Sequence, residues 1–113
     1  MTTITRMYTG DDGESHIEDM ELADHPELTA GLNATNITFR SYEPGHFIDW
    51  HQGPRRQFVI TLAGEGEIGL GDGTVHVFGP GHVNLVEDTT GHGHTTRVIG
   101  NVPRITATIP VVD

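Results

Sequence analysis

The sequence predicts an all-β fold, a single-domain jelly-roll barrel of two packed antiparallel sheets, and three observations carry that prediction. Short runs of β-branched and aromatic residues recur at regular spacing. The 15 glycines are scattered between these runs, where they read as turns and bulges and not as a flexible linker. No stretch shows a convincing helical period. A chain of 113 residues suits one domain with one core. Its 35% hydrophobic content suits a barrel with a polar interior better than a helical bundle.

In chain order, residues 4–8 and 16–22 form two strands separated by the turn signal Thr9-Gly10-Asp11-Asp12-Gly13. Residues 23–31, with Pro26, read as a loop holding one helical turn. Residues 35–42 are β-branched and aromatic and form a strand, closed by Glu43-Pro44-Gly45. Residues 47–51 are a short extended piece, and residues 55–62 give the strongest strand signal. A hairpin follows, residues 67–70 and 74–78 around Gly71-Asp72-Gly73, because Asp-Gly favours a positive-φ turn that matches strand twist. Gly79-Pro80-Gly81 turns into residues 83–86; residues 87–93 form an irregular loop; residues 95–99 and 104–109 are the last strands. The organisation is one domain over 1–113, with N-terminal strands in 1–34 and the barrel core at about 35–109.

The formal net charge is -10, from 16 acidic residues against 6 arginines with no lysine. That field repels nucleic-acid phosphates and anionic membranes, so neither is an expected partner. The absence of cysteine removes disulfides and thiolate chemistry. No basic-then-apolar leader and no run of 18 apolar residues occurs, so a cytoplasmic location is the expectation. The chain also lacks a serine elbow and a phosphate-binding loop.

Alternation decides what faces a barrel interior, since side chains two apart share a face. With Gln57 inward, Arg55, Val59 and Thr61 follow it, while Phe58, Ile60 and Leu62 form an outward apolar row that needs a cover. Another strand layer or a second copy of the chain would supply one, and a homodimer is the expectation. Asp49 and His51 share a face, and His46 falls on the opposite one. His16, His25, His46, His76 and His82 read as surface or turn residues. An inward Arg55 would bind the carboxylate or enolate of a small substrate; an ion pair with one of the many acids is the plainer reading. Trp50 reads as a packing or dimer contact, and Arg97 as an ion-pair partner of Glu87 or Asp88.

Gly45, five residues, His51, one residue, Gly53, three residues, Gln57, six residues, Gly64 resembles the first motif of the cupin superfamily, the RmlC-like double-stranded β-helices. Every spacing is kept. Gly53 stands where the second motif histidine belongs, and Gln57 stands in place of the glutamate. The second motif starts at Gly81 after Pro80, and its histidine is His94, preceded by its own glycine, Gly91; straight counting leaves His92 as the other candidate. The runs Pro54-Arg55-Arg56-Gln57 and Glu87-Asp88-Thr89-Thr90-Gly91 look like those of small bacterial single-domain cupins.

The resemblance implies a metal pocket in which three histidines and a glutamate would hold Fe, Mn, Ni or Zn. This chain offers His51 and His94, with His92 and the amide of Gln57 completing the candidate set and Asp49 as a substitute carboxylate. His94 or His92 would otherwise shuttle protons. Three readings stand side by side. One is an enzyme, metal-assisted, of isomerase, lyase or oxygenase type on a small oxygenated organic molecule. Another is a metal-free pocket binding a small ligand. The last is a structural barrel that dimerises.

Overall fold

The computed structural model describes residues 3–112, so positions 1, 2 and 113 of the expected domain lie outside the described residues. Strands dominate. They are β1 (Ile4–Thr9), β2 (Ser15–Asp19), β3 (Asn33–Ala34), β4 (Thr38–Tyr42), β5 (Phe47–His51), β6 (Gln57–Ala63), β7 (Glu65–Gly69), β8 (Val75–Phe78), β9 (Val83–Glu87), β10 (His94–Ile99) and β11 (Arg104–Val112). A 3-10 turn at Leu22–Asp24 and one short helix, α1 (Pro26–Ala30), sit between β2 and β3, with Pro26 at the helix start where its missing N–H is harmless. None of the described helices is long and apolar enough to cross a membrane.

Two sheets face each other. The larger runs β2-β1-β9-β6-β11-β3, with β4 also paired to β11; the smaller runs β5-β10-β7-β8. The jelly-roll expectation holds, with two differences. The strand expected over 35–42 starts only at Thr38, as β4; residues 35–37 are an irregular step between the short β3 and β4, with the Thr35 N–H donating to the Pro110 carbonyl. The sheets are also not purely antiparallel, because β1 runs parallel to β9, Met7 opposite Val86. The N-terminal strands therefore extend the main sheet instead of standing apart from it.

Cross-strand register fixes the inner face. On β6, Gln57, Val59 and Thr61 stand beside Val86 and Asn84 of β9 on one side and Thr108 and Thr106 of β11 on the other. The apolar floor is a cluster of Met7, Ile68, Leu70, Phe78 and Val86. At about 25 cal/mol per Å2, each such side chain contributes roughly 1.5–3 kcal/mol on burial. The opposite row stays partly bare: Leu62 is 48%, Phe39 62% and Ile105 38% exposed. The hairpin between β7 and β8 has the expected geometry, Gly73 taking φ 87°.

Candidate functional site

A cavity of about 260 Å3 lies between the sheets. The two histidines that end β5 and begin β10 reach it together. His51 and His94 are direct cross-strand partners, and their rings sit 4.3 Å apart at 58°. The approach of the strands needs glycine: Gly93 has φ 81°, and a Cβ there would fall on the His51 backbone. Gln57, buried, completes this end from β6.

Each imidazole is held from behind. His51 Nδ1 donates to the Asp49 carbonyl at 2.8 Å. His94 Nδ1 donates to Asp88 Oδ2 at 2.5 Å, and that oxygen also accepts from Ser15 Oγ at 2.7 Å. Asp88 is fully buried and its Oδ1 has no partner among the described residues. With both Nδ1 atoms used, Nε2 of each ring is left for whatever occupies the cavity. Burial pushes the His51 pKa below its ordinary value, and His94 adds to that; the Asp49 carbonyl opposes it. His51 is therefore a neutral acceptor at neutral pH.

The sequence candidates divide sharply. His51, Gln57 and His94 meet in one cavity. His92 does not: it is exposed, stacks on Trp50 at 3.9 Å and bonds to Glu14, which resolves the choice between the two histidines of the 91–94 loop. Arg55 is exposed in the bend before β6 and lines no part of the cavity. The alternation that would have turned it inward begins only at Gln57, where the strand begins. Arg56 instead donates to Glu87 at 2.6 Å, and Arg6 bonds to the same carboxylate. Asp49 is exposed and outside the cavity, its Oδ1 accepting the Trp50 N–H. Arg97 lies over the Phe47 ring at 4.5 Å instead of pairing with Glu87 or Asp88. His46 lines the cavity despite its parity, because it sits in the turn ahead of β5, against the Tyr42 ring. His82 is buried, stacked on Phe78 and bonded to Thr5 Oγ1 at 2.9 Å.

Residues that sequence reasoning passed over complete the site. Arg104 and Tyr42 face each other across β11 and β4 and line the end of the cavity away from His51; Arg40 lies on the same inner face, opposite Thr106. The signal was present in the alternation Arg104-x-Thr106-x-Thr108, a polar inward row.

The donors do not fit the metal set that the first motif implies. Only His51, His94 and the Gln57 amide meet at one end of the cavity. His46 and Asn84 also line it, but His46 packs on the Tyr42 ring and Asn84 Oδ1 accepts from Thr5 Oγ1, and no aspartate or glutamate lines it among the described residues. No group of three or more His, Cys, Asp or Glu able to hold a metal ion occurs among them either. A Cβ at Gly53, the missing-histidine position, would lie 2.5 Å from Val86 Cγ1 and 3.0 Å from Asp88 Oδ1. Two guanidinium groups share the cavity, which opposes a bound dication.

Two facing sheets enclosing a cavity lined by both polar and apolar side chains are the architecture of a double-stranded β-helix. The chain has the cupin, RmlC-like form of that fold, as comparison with solved structures shows. A cupin 2 conserved barrel domain protein from Leptotrichia buccalis matches with TM-score 0.54 at 22% identity, over 67% of this chain and 35% of that one. A cupin domain from Bordetella pertussis matches with TM-score 0.53 at 16% identity, over 74% and 95%. The dTDP-6-deoxy-D-glucose-3,5-epimerase of Legionella pneumophila, in complex with dTDP-4-keto-L-rhamnose, matches with TM-score 0.52 at 14% identity, over 96% and 65%. The match thus spans about a third of the Leptotrichia protein's length. No protein-family model and no curated protein matches the chain.

Proposed function

We propose that the barrel interior binds a small oxygenated organic molecule and moves a proton on it, in chemistry of the isomerase or lyase type, without a metal. The observation that carries this reading is the buried Ser15–Asp88–His94 chain, which aims one imidazole Nε2 at the cavity and sets a carboxylate behind it. His94 Nε2 takes a proton from the carbon next to a carbonyl. The C–H electron pair moves onto the carbonyl oxygen as an enolate, and Asp88 balances the charge gained by the ring. Returning the proton to the opposite face of the same carbon gives an epimer. Where that carbon bears a hydroxyl, passing the hydroxyl proton to the enolate oxygen and the abstracted proton to the former carbonyl carbon moves the carbonyl by one position. Expulsion of a leaving group from the next carbon instead gives elimination. His51, neutral, accepts a hydrogen bond from a substrate hydroxyl, and the Gln57 amide orients it.

A panel of hydroxy acids, oxo acids and simple sugars incubated with the protein in D2O tests this reading. Deuterium enters next to the carbonyl of at least one compound, and His94→Gln abolishes it. Absence of exchange and of any movement of the His51 and His94 ring signals across the panel would refute it.

The anchored Nδ1 atoms also favour a second reading, Fe, Mn, Ni or Zn at His51, His94 and Gln57, because metal-binding imidazoles are held from behind in this way. Elemental analysis decides: one tightly held metal per chain replaces the metal-free reading.

A further inference from the structure

The end of the cavity remote from the paired imidazoles holds a buried cation with no counter-ion among the described residues. Arg104 opens β11 and is only 6% exposed. Its Nη2 donates to the neutral Thr61 Oγ1 at 3.0 Å, and its Nε has no partner among the described residues. Gly66 makes room for it, since a Cβ there would lie 2.6 Å from Cζ. Burial pushes the Arg104 pKa down, with Tyr42 opposing, yet a guanidinium stays charged at any ordinary pH. Arg40 also lines this cavity, and no carboxylate does so among the described residues. A buried charge that no opposite charge balances opposes folding strongly. A site that keeps one is built for an anion that arrives from outside.

We propose that Arg104 is the carboxylate-binding residue of the barrel, so that the ligand is a small organic acid. Its carboxylate lies on Arg104, and its oxygenated end reaches His51 and His94. The inference rests on the reading of the barrel as a small-molecule site and names its substrate class. Length follows from β6, where Gln57 lines the imidazole end of the cavity and Thr61, behind the lining, holds Arg104 at the other. Four residues at about 3.3 Å span roughly 13 Å; about 3 Å for a hydrogen bond at each end leaves about 7 Å, the reach of a five- or six-carbon chain.

The test compares 6-hydroxyhexanoate with its neutral amide at equal ionic strength, with inorganic phosphate as a second anion. Binding is read by melting temperature and by the Arg104 Nε–H signal in nitrogen-15 spectra. The acid binds the wild type roughly tenfold tighter than the amide, as a charge-assisted contact requires, and shifts the Nε–H signal. Arg104→Met loses that preference, and without ligand it melts above the wild type. Equal binding of acid and amide would overturn the assignment, as would an equal response to phosphate or an unmoved Nε–H signal. If the acid shifts Arg104 while the His51 and His94 ring signals stay still, proton transfer falls and the carboxylate site stands. If acid and amide move those rings alike and leave Arg104 untouched, the reverse holds.

Discussion

Gly53→Ala probes the frame behind the paired imidazoles. Gly53 is buried between β5 and β6, and its N–H donates to the Asp88 carbonyl at 2.9 Å. A Cβ there would meet Val86 Cγ1 at 2.5 Å, more than about 1 Å inside an ordinary carbon contact. Val86 cannot swing aside: it is 5% exposed, stiff at χ1, and lies in β9 between Met7 and Gln57. Overpacking of this kind costs about 1–3 kcal/mol. Gly53 does not have a positive φ, so the alanine also restricts the unfolded chain, worth about 0.4–1 kcal/mol in the other direction. The net expectation is a loss of roughly 1–2 kcal/mol. Urea unfolding reads it as a lower midpoint at unchanged slope. Gly53→His, which restores the missing motif histidine, loses more and gains no metal site, since its side chain starts toward Val86 and Asp88. An alanine variant as stable as the wild type, or a histidine variant that binds zinc tightly, would refute the packing argument.

Asp88→Asn removes the charge accepting from Ser15 and His94 and should lower stability by about 1.5–3 kcal/mol in urea unfolding. Its effect on D2O exchange should approach that of His94→Gln. The His82 pKa lies below its ordinary value through burial, then through Arg104, with Asp19 opposing, while Thr5 holds its ring. The unfolded chain therefore binds the proton first, and stability falls as pH drops from about 6.5 toward the folded value. His82→Gln should flatten that part of a melting-temperature profile. We expect a homodimer through the bare outer row, and Phe39→Arg, at a side chain 62% exposed, should leave a 12.3 kDa species by light scattering. A wild type that already runs at that mass would remove the dimer.

The sequence made the fold and half of the site legible, for reasons that differ by residue. Period-2 alternation from Gln57 onward puts Val59 and Thr61 inward, and the register confirms it. The same rule failed at Arg55 because alternation says nothing about where a strand starts. His46 was misplaced for a related reason: a turn residue has no parity. Choosing between His92 and His94 required the pairing of β10 with β5, a contact between segments far apart in sequence. Asp88 lay in plain view in the 87–93 loop, but burial behind His94 is a property of packing that no local pattern records. Arg104 follows the inward row of β11 and was readable; that it finds no counter-ion among the described residues was not.

The two incompletely paired charges that sequence reading could not evaluate work as a pair. Asp88 is buried behind His94 with one oxygen unmatched, and Arg104 is buried at the other end with one N–H unmatched. A negative pole and a positive pole thus bracket one cavity across a poorly screening interior, where charges act over longer distances than in water. An acid entering this field has one favoured orientation, carboxylate toward Arg104. That orientation directs its other end to the imidazole whose gain of a proton Asp88 balances. Neutralising either pole should therefore disorder the ligand at the opposite end as well. Arg104→Met should weaken His94-dependent exchange even though the two side chains line opposite ends of the cavity.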